Sequence, residues 1–132
     1  MKGLHPYIEF DGVCRDAMTN YQEWFGGELS LIPVDESPAM DQQPRTGDTI
    51  YHSELRGPAF TLMGSDKSGS ASRSAIVVDC EDEEEIGRVF GLASEGGRVM
   101  CGLGPAPWGG SYAHLTDRFG TTWHLMCSTG RA

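Results

Sequence analysis

Basic residues are scarce in this chain: ten Lys and Arg stand against nineteen Asp and Glu, a formal net charge of −9. A nucleic-acid surface needs clustered positive charge, so no nucleic-acid partner is expected. Long apolar runs are missing as well. No stretch reaches the roughly 18 apolar residues of a membrane span, so no membrane partner is expected. The N-terminal "MKGLHPYIEF" has one lysine and then a mixed, strand-like segment. It carries no signal-peptide pattern, which makes a cytoplasmic location the default expectation. Cysteine is sparse, and Cys14, Cys80, Cys101 and Cys127 form no C-x-x-C pair, which speaks against a zinc knuckle. Each lies in or beside an apolar segment and is predicted to be a small buried hydrophobe with a free thiol. Phosphate loops and nucleophile elbows are absent. The glycines of "GLGPAPWGG" precede no helix at the spacing a dinucleotide site requires.

What remains is a chain of 132 residues, 39% hydrophobic, enough for one domain with its own core. Segment 5–10, "HPYIEF", alternates as a strand. In 13–25, "VCRDAMTNYQEWF", apolar residues at 13, 14, 17, 18, 21, 24 and 25 make one helical face. Gly26 and Gly27 end that helix. Strands follow near 28–34, 49–56 and 59–64, with a long polar loop over 35–48. The Ser/Gly-rich "SDKSGSAS", 65–72, reads as a connector. The pattern then restarts, with a strand over 73–80 and a helix over 83–95. Strands follow near 98–103, 111–117 and 121–127. The acidic run "EDEEE", 81–85, suits the positive end of the second helix.

The two halves share letters. Gly26-Gly27 matches Gly96-Gly97, "FTLMGS" at 60–65 matches "WHLMCS" at 123–128, and Asp11 matches Asp79. The order is the same in both halves, which points to a tandem duplication. The expected fold is α+β: two β-α-β-β-β repeats, about 1–66 and 72–132, forming curved mixed sheets around a cleft within a single domain.

Strand alternation assigns faces. In 121–127, Trp123, Leu125 and Cys127 share one side, and Thr122, His124 and Met126 the other. His5, Tyr7 and Glu9 oppose Ile8 and Phe10. The helices should cover the apolar sides, leaving His5 and His124 facing the cleft. Offsets in the repeat pair His5 with Arg73 and Thr61 with His124, so these four positions are expected to point into it.

This doubled order resembles the vicinal oxygen chelate superfamily, which includes glyoxalase I, extradiol dioxygenases and bleomycin-resistance proteins. The segments "HPYIEFDG", "YHSELRG", "LMGSD", "EGGRV" and "DRFGTTW" are similar to its PhnB-like branch. The resemblance implies metal ligands on the first and last strand of each repeat, at His5, Thr61, Arg73 and His124. Only His5 and His124 can bind a divalent ion (Zn, Ni, Mn or Fe); Thr61 is a poor ligand and Arg73 cannot ligate. Glu9 or Glu54 would have to supply a carboxylate. Arg73 fits an anionic group of a substrate or a plain ion pair. Thr61, Tyr7, Met63, Met126, His52 and Trp108 are the remaining candidates for contact with a small-molecule ligand. His114 is taken as structural.

Two functions stay open. One is a metal-dependent lyase, isomerase or dioxygenase acting on a substrate with adjacent oxygens. The other is a metal-free binding or drug-sequestering protein with no cofactor, whose acidic charge suits a cationic ligand. The resemblance also implies a homodimer. It carries an association with ubiquinone methyl transfer, but the sequence has no S-adenosylmethionine motif, and that activity is not expected.

Overall fold

Period-2 and period-3.6 patterns alternate along the chain, and the computed structural model follows them closely. It describes residues 1–33, 49–67, 69 and 75–128. Two units form, Met1–Ser72 and Arg73–Ala132. The first contains β1 (Tyr7–Phe10), α1 (Cys14–Phe25), β2 (Glu28–Pro33), β3 (Ile50–Arg56) and β4 (Thr61–Asp66). The second contains β5 (Ala75–Asp79), α2 (Glu83–Ala93), β6 (Arg98–Pro105), β7 (Ser111–Thr116) and β8 (Thr122–Cys127). Each unit holds one four-stranded sheet, ordered β1-β4-β3-β2 and β5-β8-β7-β6. In both, the first strand pairs in parallel with the last, and the other neighbours are antiparallel. The fold is the expected α+β arrangement of two β-α-β-β-β repeats.

One helix lies against one face of each sheet. On α1, Cys14, Ala17, Met18, Tyr21 and Trp24 are buried, a single stripe at helical spacing. Opposite them Ile8, Phe10, Leu55 and Leu62 are buried as well. On α2 the stripe is Ile86, Val89 and Ala93, and the strands beneath bury Ala113, Leu115, Trp123, Leu125 and Cys127. Among the described residues, no helix is long and apolar enough to cross a membrane.

The two helices start differently. Asp82 caps α2 by accepting from the Glu85 N–H at 2.8 Å, and Glu85 reaches back to the Glu81 N–H at 2.7 Å. The acidic run therefore does sit on the helix start. Val13 offers α1 no side-chain cap. Asp66, from the far end of β4, supplies one instead. Its Oδ1 accepts from the Cys14 N–H and its Oδ2 from the Ile50 N–H, both at 2.9 Å. One carboxylate thus ties the helix, β3 and β4 together.

The paired glycines do more than end helices. A Cβ on Gly27, at φ 101°, would stand 2.6 Å from the Arg56 carbonyl oxygen. A Cβ on Gly97 would press on the Thr116 carbonyl. Each pair lets the chain leave its helix and pass close to the neighbouring strand, so it marks the same place in both repeats. The second helix ends at Ala93, short of residue 95, with Ser94 as its cap. The strand expected over 5–10 begins only at Tyr7, because Pro6 has no N–H to give to a ladder.

Cysteine follows expectation at three positions. Cys14, Cys80 and Cys127 are buried, and desolvation pushes the Cys14 and Cys80 thiols up to about 12. Cys101 is exposed, because the edge strand β6 extends beyond the cover of α2.

Replacing Asp66 with Ala strands two backbone donors and should cost about 2 kcal/mol in urea unfolding. Asp66→Asn keeps an acceptor and should lose less. A change below about 0.5 kcal/mol for the Ala variant would show that water replaces the carboxylate at no loss.

Candidate functional site

With one face under a helix, the polar residues of each sheet collect on the other. In the second unit that face carries Tyr112 and His114 from β7, His124 and Met126 from β8, and Val77 from β5. The register sets His114 beside His124, Tyr112 beside Met126, and Val77 beside His124. The His114 and His124 rings stack with centroids 4.0 Å apart and planes 15° from parallel. The Tyr112 hydroxyl lies 2.6 Å from His124 Nδ1. Trp108, 63% exposed in the turn before β7, meets Tyr112 edge-on at 5.5 Å.

This setting favours a neutral His124. Burial lowers its pKa from the ordinary 6.5, and the neighbouring His114 lowers it further. Tyr112 occupies Nδ1, so Nε2 is the nitrogen left to present. It presents a proton if Tyr112 donates to Nδ1, and a lone pair if Nδ1–H donates to Tyr112. The stack bears on metal binding. Imidazole lone pairs lie in the ring plane, so two nearly parallel rings do not converge on one ion. Among the described residues, no group of three or more His, Cys, Asp or Glu is placed to hold a metal.

The first unit carries a different cluster on its helix-free face. Tyr7 Oη lies 3.2 Å from His52 Nδ1, and their rings stack at 5.7 Å. His52 Nε2 lies 3.1 Å from Glu54 Oε2. The other carboxylate oxygen of Glu54 accepts from Arg56 Nε at 2.8 Å and meets Arg56 Nη2 at 2.7 Å. The His52 and Arg56 hydrogen bonds hold the Glu54 carboxyl below its usual value. Met63 stands between Tyr7 and Glu54 in the ladder. An open groove of about 400 Å³, lined in part by Gln22, Glu28, Ser30, Glu54 and Arg56, runs along this edge. Neither Tyr7 nor His52 lines it.

The expected faces hold for the described strands, but the expected correspondence of Thr61 with His124 does not. Gly27 against Arg56 and Gly97 against Thr116 fix equivalent points in the repeats. Across the hairpins, Arg56 pairs with Thr61 and Thr116 with Thr122. Counting from there, the counterpart of His124 is Met63, two residues beyond Thr61. The parallel ladders agree: Tyr7 pairs with Met63 as Val77 pairs with His124. Matching "FTLM" to "WHLM" by their shared letters slipped the strand by two: the ladders set an offset of 61 (Thr61 to Thr122), the letters one of 63. A slip of two preserves the face, so Thr61 still lies on the helix-free side with Met63.

His5 is exposed and precedes β1. Glu9 is half-exposed on β1, 4.0 Å from Lys67 Nζ. Arg73 and the whole 35–48 loop lie outside the described residues. The structure brings Tyr7, His52 and Glu54 together in one unit, and His124, Met126 and Trp108 around Tyr112 in the other. His114 and Tyr112 are the additions. The alternation of "SYAHLT" held the signal, since burying Ala113 and Leu115 turns Tyr112 and His114 to the other side.

A His124 pKa lowered on folding makes stability fall as pH drops. That contribution is complete above 6.5, the unfolded value, and is lost as pH falls through the lower folded value. The His124 imidazole, followed by NMR, should titrate below 6.5, and replacing His114 with Asn should move it part of the way back. A midpoint at or above 6.5 would contradict the desolvated setting.

No family model matches the sequence. Protein YjdN of Escherichia coli (strain K12) is 32% identical over 136 aligned positions, covering 92% of each chain. Protein PA1353 from Pseudomonas aeruginosa is also 32% identical; its crystal structure superposes with a TM-score of 0.88 over 97% of this chain and 98% of its own. The PhnB protein from Bacillus cereus, at 23% identity, shares the fold with a TM-score of 0.73 over 96% of this chain and all (100%) of its own. The matches span both repeats: the chain belongs to the family of YjdN and PA1353, and its fold is that of the glyoxalase/bleomycin resistance/dioxygenase proteins, the PhnB protein included.

Proposed function

We propose that the chain binds a small organic molecule on the helix-free face of the second sheet, with neutral His124 as its hydrogen-bonding centre and no metal required. The observation that carries this reading is the Tyr112–His124–His114 cluster. It fixes one ring nitrogen, disfavours the cation and leaves Nε2 to meet a polar group of the ligand. Val77, Met126 and the edge-on pair Trp108–Tyr112 supply apolar and aromatic contact around it. The net charge of −9 favours a ligand with cationic character, as for a drug-sequestering protein.

A second reading, a metal-dependent lyase, isomerase or dioxygenase, has one specific support. A neutral imidazole whose Nδ1 is oriented by a tyrosine is a suitable ligand through Nε2. The ion (Zn, Ni, Mn or Fe) would rest on His5 and His124, with Glu9 or Glu54, and would serve as a Lewis acid toward two adjacent oxygens. The donor set fits it poorly. Both carboxylate oxygens of Glu54 are already engaged, by Arg56 and His52. Assembly as a homodimer belongs to either reading. The exposed apolar residues Val99, Met100 and Leu103 on edge strand β6 support it.

A thermal-shift screen with cationic aromatic molecules in the presence of chelator separates the two. A ligand at 100 times its Kd should stabilise the chain by about 2.7 kcal/mol, and His124→Gln should remove the effect. Stoichiometric uptake of Zn, Ni, Mn or Fe that disappears in both His5→Ala and His124→Ala would overturn the metal-free reading. Stabilisation by no member of the screen would count against the cationic ligand class.

A further inference from the structure

Each unit contains one tyrosine hydroxyl resting on a histidine Nδ1, yet the two pairs differ in what stands behind the imidazole. Behind His124 is a second imidazole, His114, stacked at 4.0 Å. A proton arriving on His124 would be opposed by burial and by that neighbour. Behind His52 is the Glu54 carboxylate, 3.1 Å from Nε2 and itself braced by Arg56. A proton arriving on His52 Nδ1 would leave an imidazolium whose charge Glu54 matches directly. The order hydroxyl, imidazole, carboxylate is that of a group activated by a base whose orientation a third residue fixes.

We propose that Tyr7, His52 and Glu54 form a proton relay, and that Tyr7 exchanges protons with a small uncharged carbonyl compound on the helix-free face of the first sheet. This cluster belongs to the first unit, and the proposal does not rest on the binding function assigned to the second. Tyr7 is 46% exposed, so the residue is within reach of a ligand. Met63, its ladder neighbour, offers apolar contact beside the hydroxyl. Arg56 matches the charge of Glu54 and Lys67 that of Glu9, so the face holds no unmatched charge for an ionic ligand, which suits an uncharged substrate.

The step balances without any other reactant. The Tyr7 oxygen takes a proton from the carbon next to the carbonyl while its own hydroxyl proton passes to His52 Nδ1. The C–H bonding pair stays with the substrate as an enolate. His52 then carries a proton on each nitrogen, and its Nε2–H stays bonded to Glu54. Reversal of the relay returns a proton to the enolate at the same or the adjacent carbon. The net result is proton exchange or isomerisation, with no change in oxidation state. Tyr7 is the catalytic residue in this scheme; His52 accepts and returns its proton, and Glu54 is a positioning residue.

Aryl sulfonyl fluoride labelling at neutral pH reads the activation of Tyr7 directly. The S–F bond is replaced by an S–O bond to the tyrosine, fluoride leaves, and the hydroxyl proton goes to the base. Labelled peptides distinguish Tyr7 from Tyr21, Tyr51 and Tyr112. In His52→Gln the Tyr7 rate should fall about tenfold or more, and in Glu54→Gln by a smaller factor, with Tyr112 unchanged in both. An unchanged Tyr7 rate in both variants would overturn the relay. If circular dichroism shows that His52→Gln does not fold, Glu54→Gln decides alone by the same criterion. Deuterium wash-in from D2O into hydroxyacetone tests the substrate class. Incorporation that is lost in Tyr7→Phe supports it, and no incorporation overturns the assignment to carbon acids.

Discussion

A single helix can cover only one face of a four-stranded sheet, and that constraint organises both halves of this chain. Alternation sends Ile8, Phe10, Leu55 and Leu62 under α1, and Ala113, Leu115, Trp123 and Leu125 toward the α2 side. Every residue between them is thereby committed to the uncovered face. Imidazoles and carboxylates there are partly withdrawn from water and need partners. They find them sideways, across the strands. The Tyr7–His52–Glu54–Arg56 chain and the Tyr112–His124–His114 cluster both follow from burying the opposite side.

Keeping these side chains in register requires that the strands do not slip, and buried carboxylates help to hold them. Asp66 binds the first turn of α1 and the start of β3. In the second repeat, Asp117 is buried in the β7–β8 hairpin, accepting from the Phe119 and Thr121 N–H groups and from the indole of Trp123 at 2.8 Å. Trp123 adjoins His124 in sequence and points the other way, so that bond helps to orient the strand presenting His124. Charge-assisted bonds to backbone donors are among the stronger polar contacts available to a small domain.

Much of this was legible in the sequence. Helix stripes and strand alternation gave the element order, the repeat and the covered faces, because both depend on residue spacing alone. Position within the repeat was not legible to the same degree. Thr61 was matched to His124 by shared letters, whereas the ladder matches Met63, two residues further along the strand. Partnerships were less legible still. His52 and Glu54 are two apart in one strand and were readable as sharing a face, but nothing in the sequence brings Tyr7, 45 residues away, onto His52. His114 was passed over because "SYAHLT" has apolar character on both of its faces, and burial by α2 resolves the ambiguity.

The two histidines show how little of a residue's chemistry is carried by its type. His52 and His124 both lie mid-strand on uncovered faces, each with a tyrosine hydroxyl at Nδ1. They differ in the next neighbour outward. A carboxylate stands behind His52, 3.1 Å from Nε2, where it can accept from an Nε2–H. A stacked imidazole behind His124 penalises its protonated form, which suits a fixed neutral group that binds. Two similar sheets in one chain thus set their mid-strand histidines beside different neighbours, a carboxylate in one and an imidazole in the other.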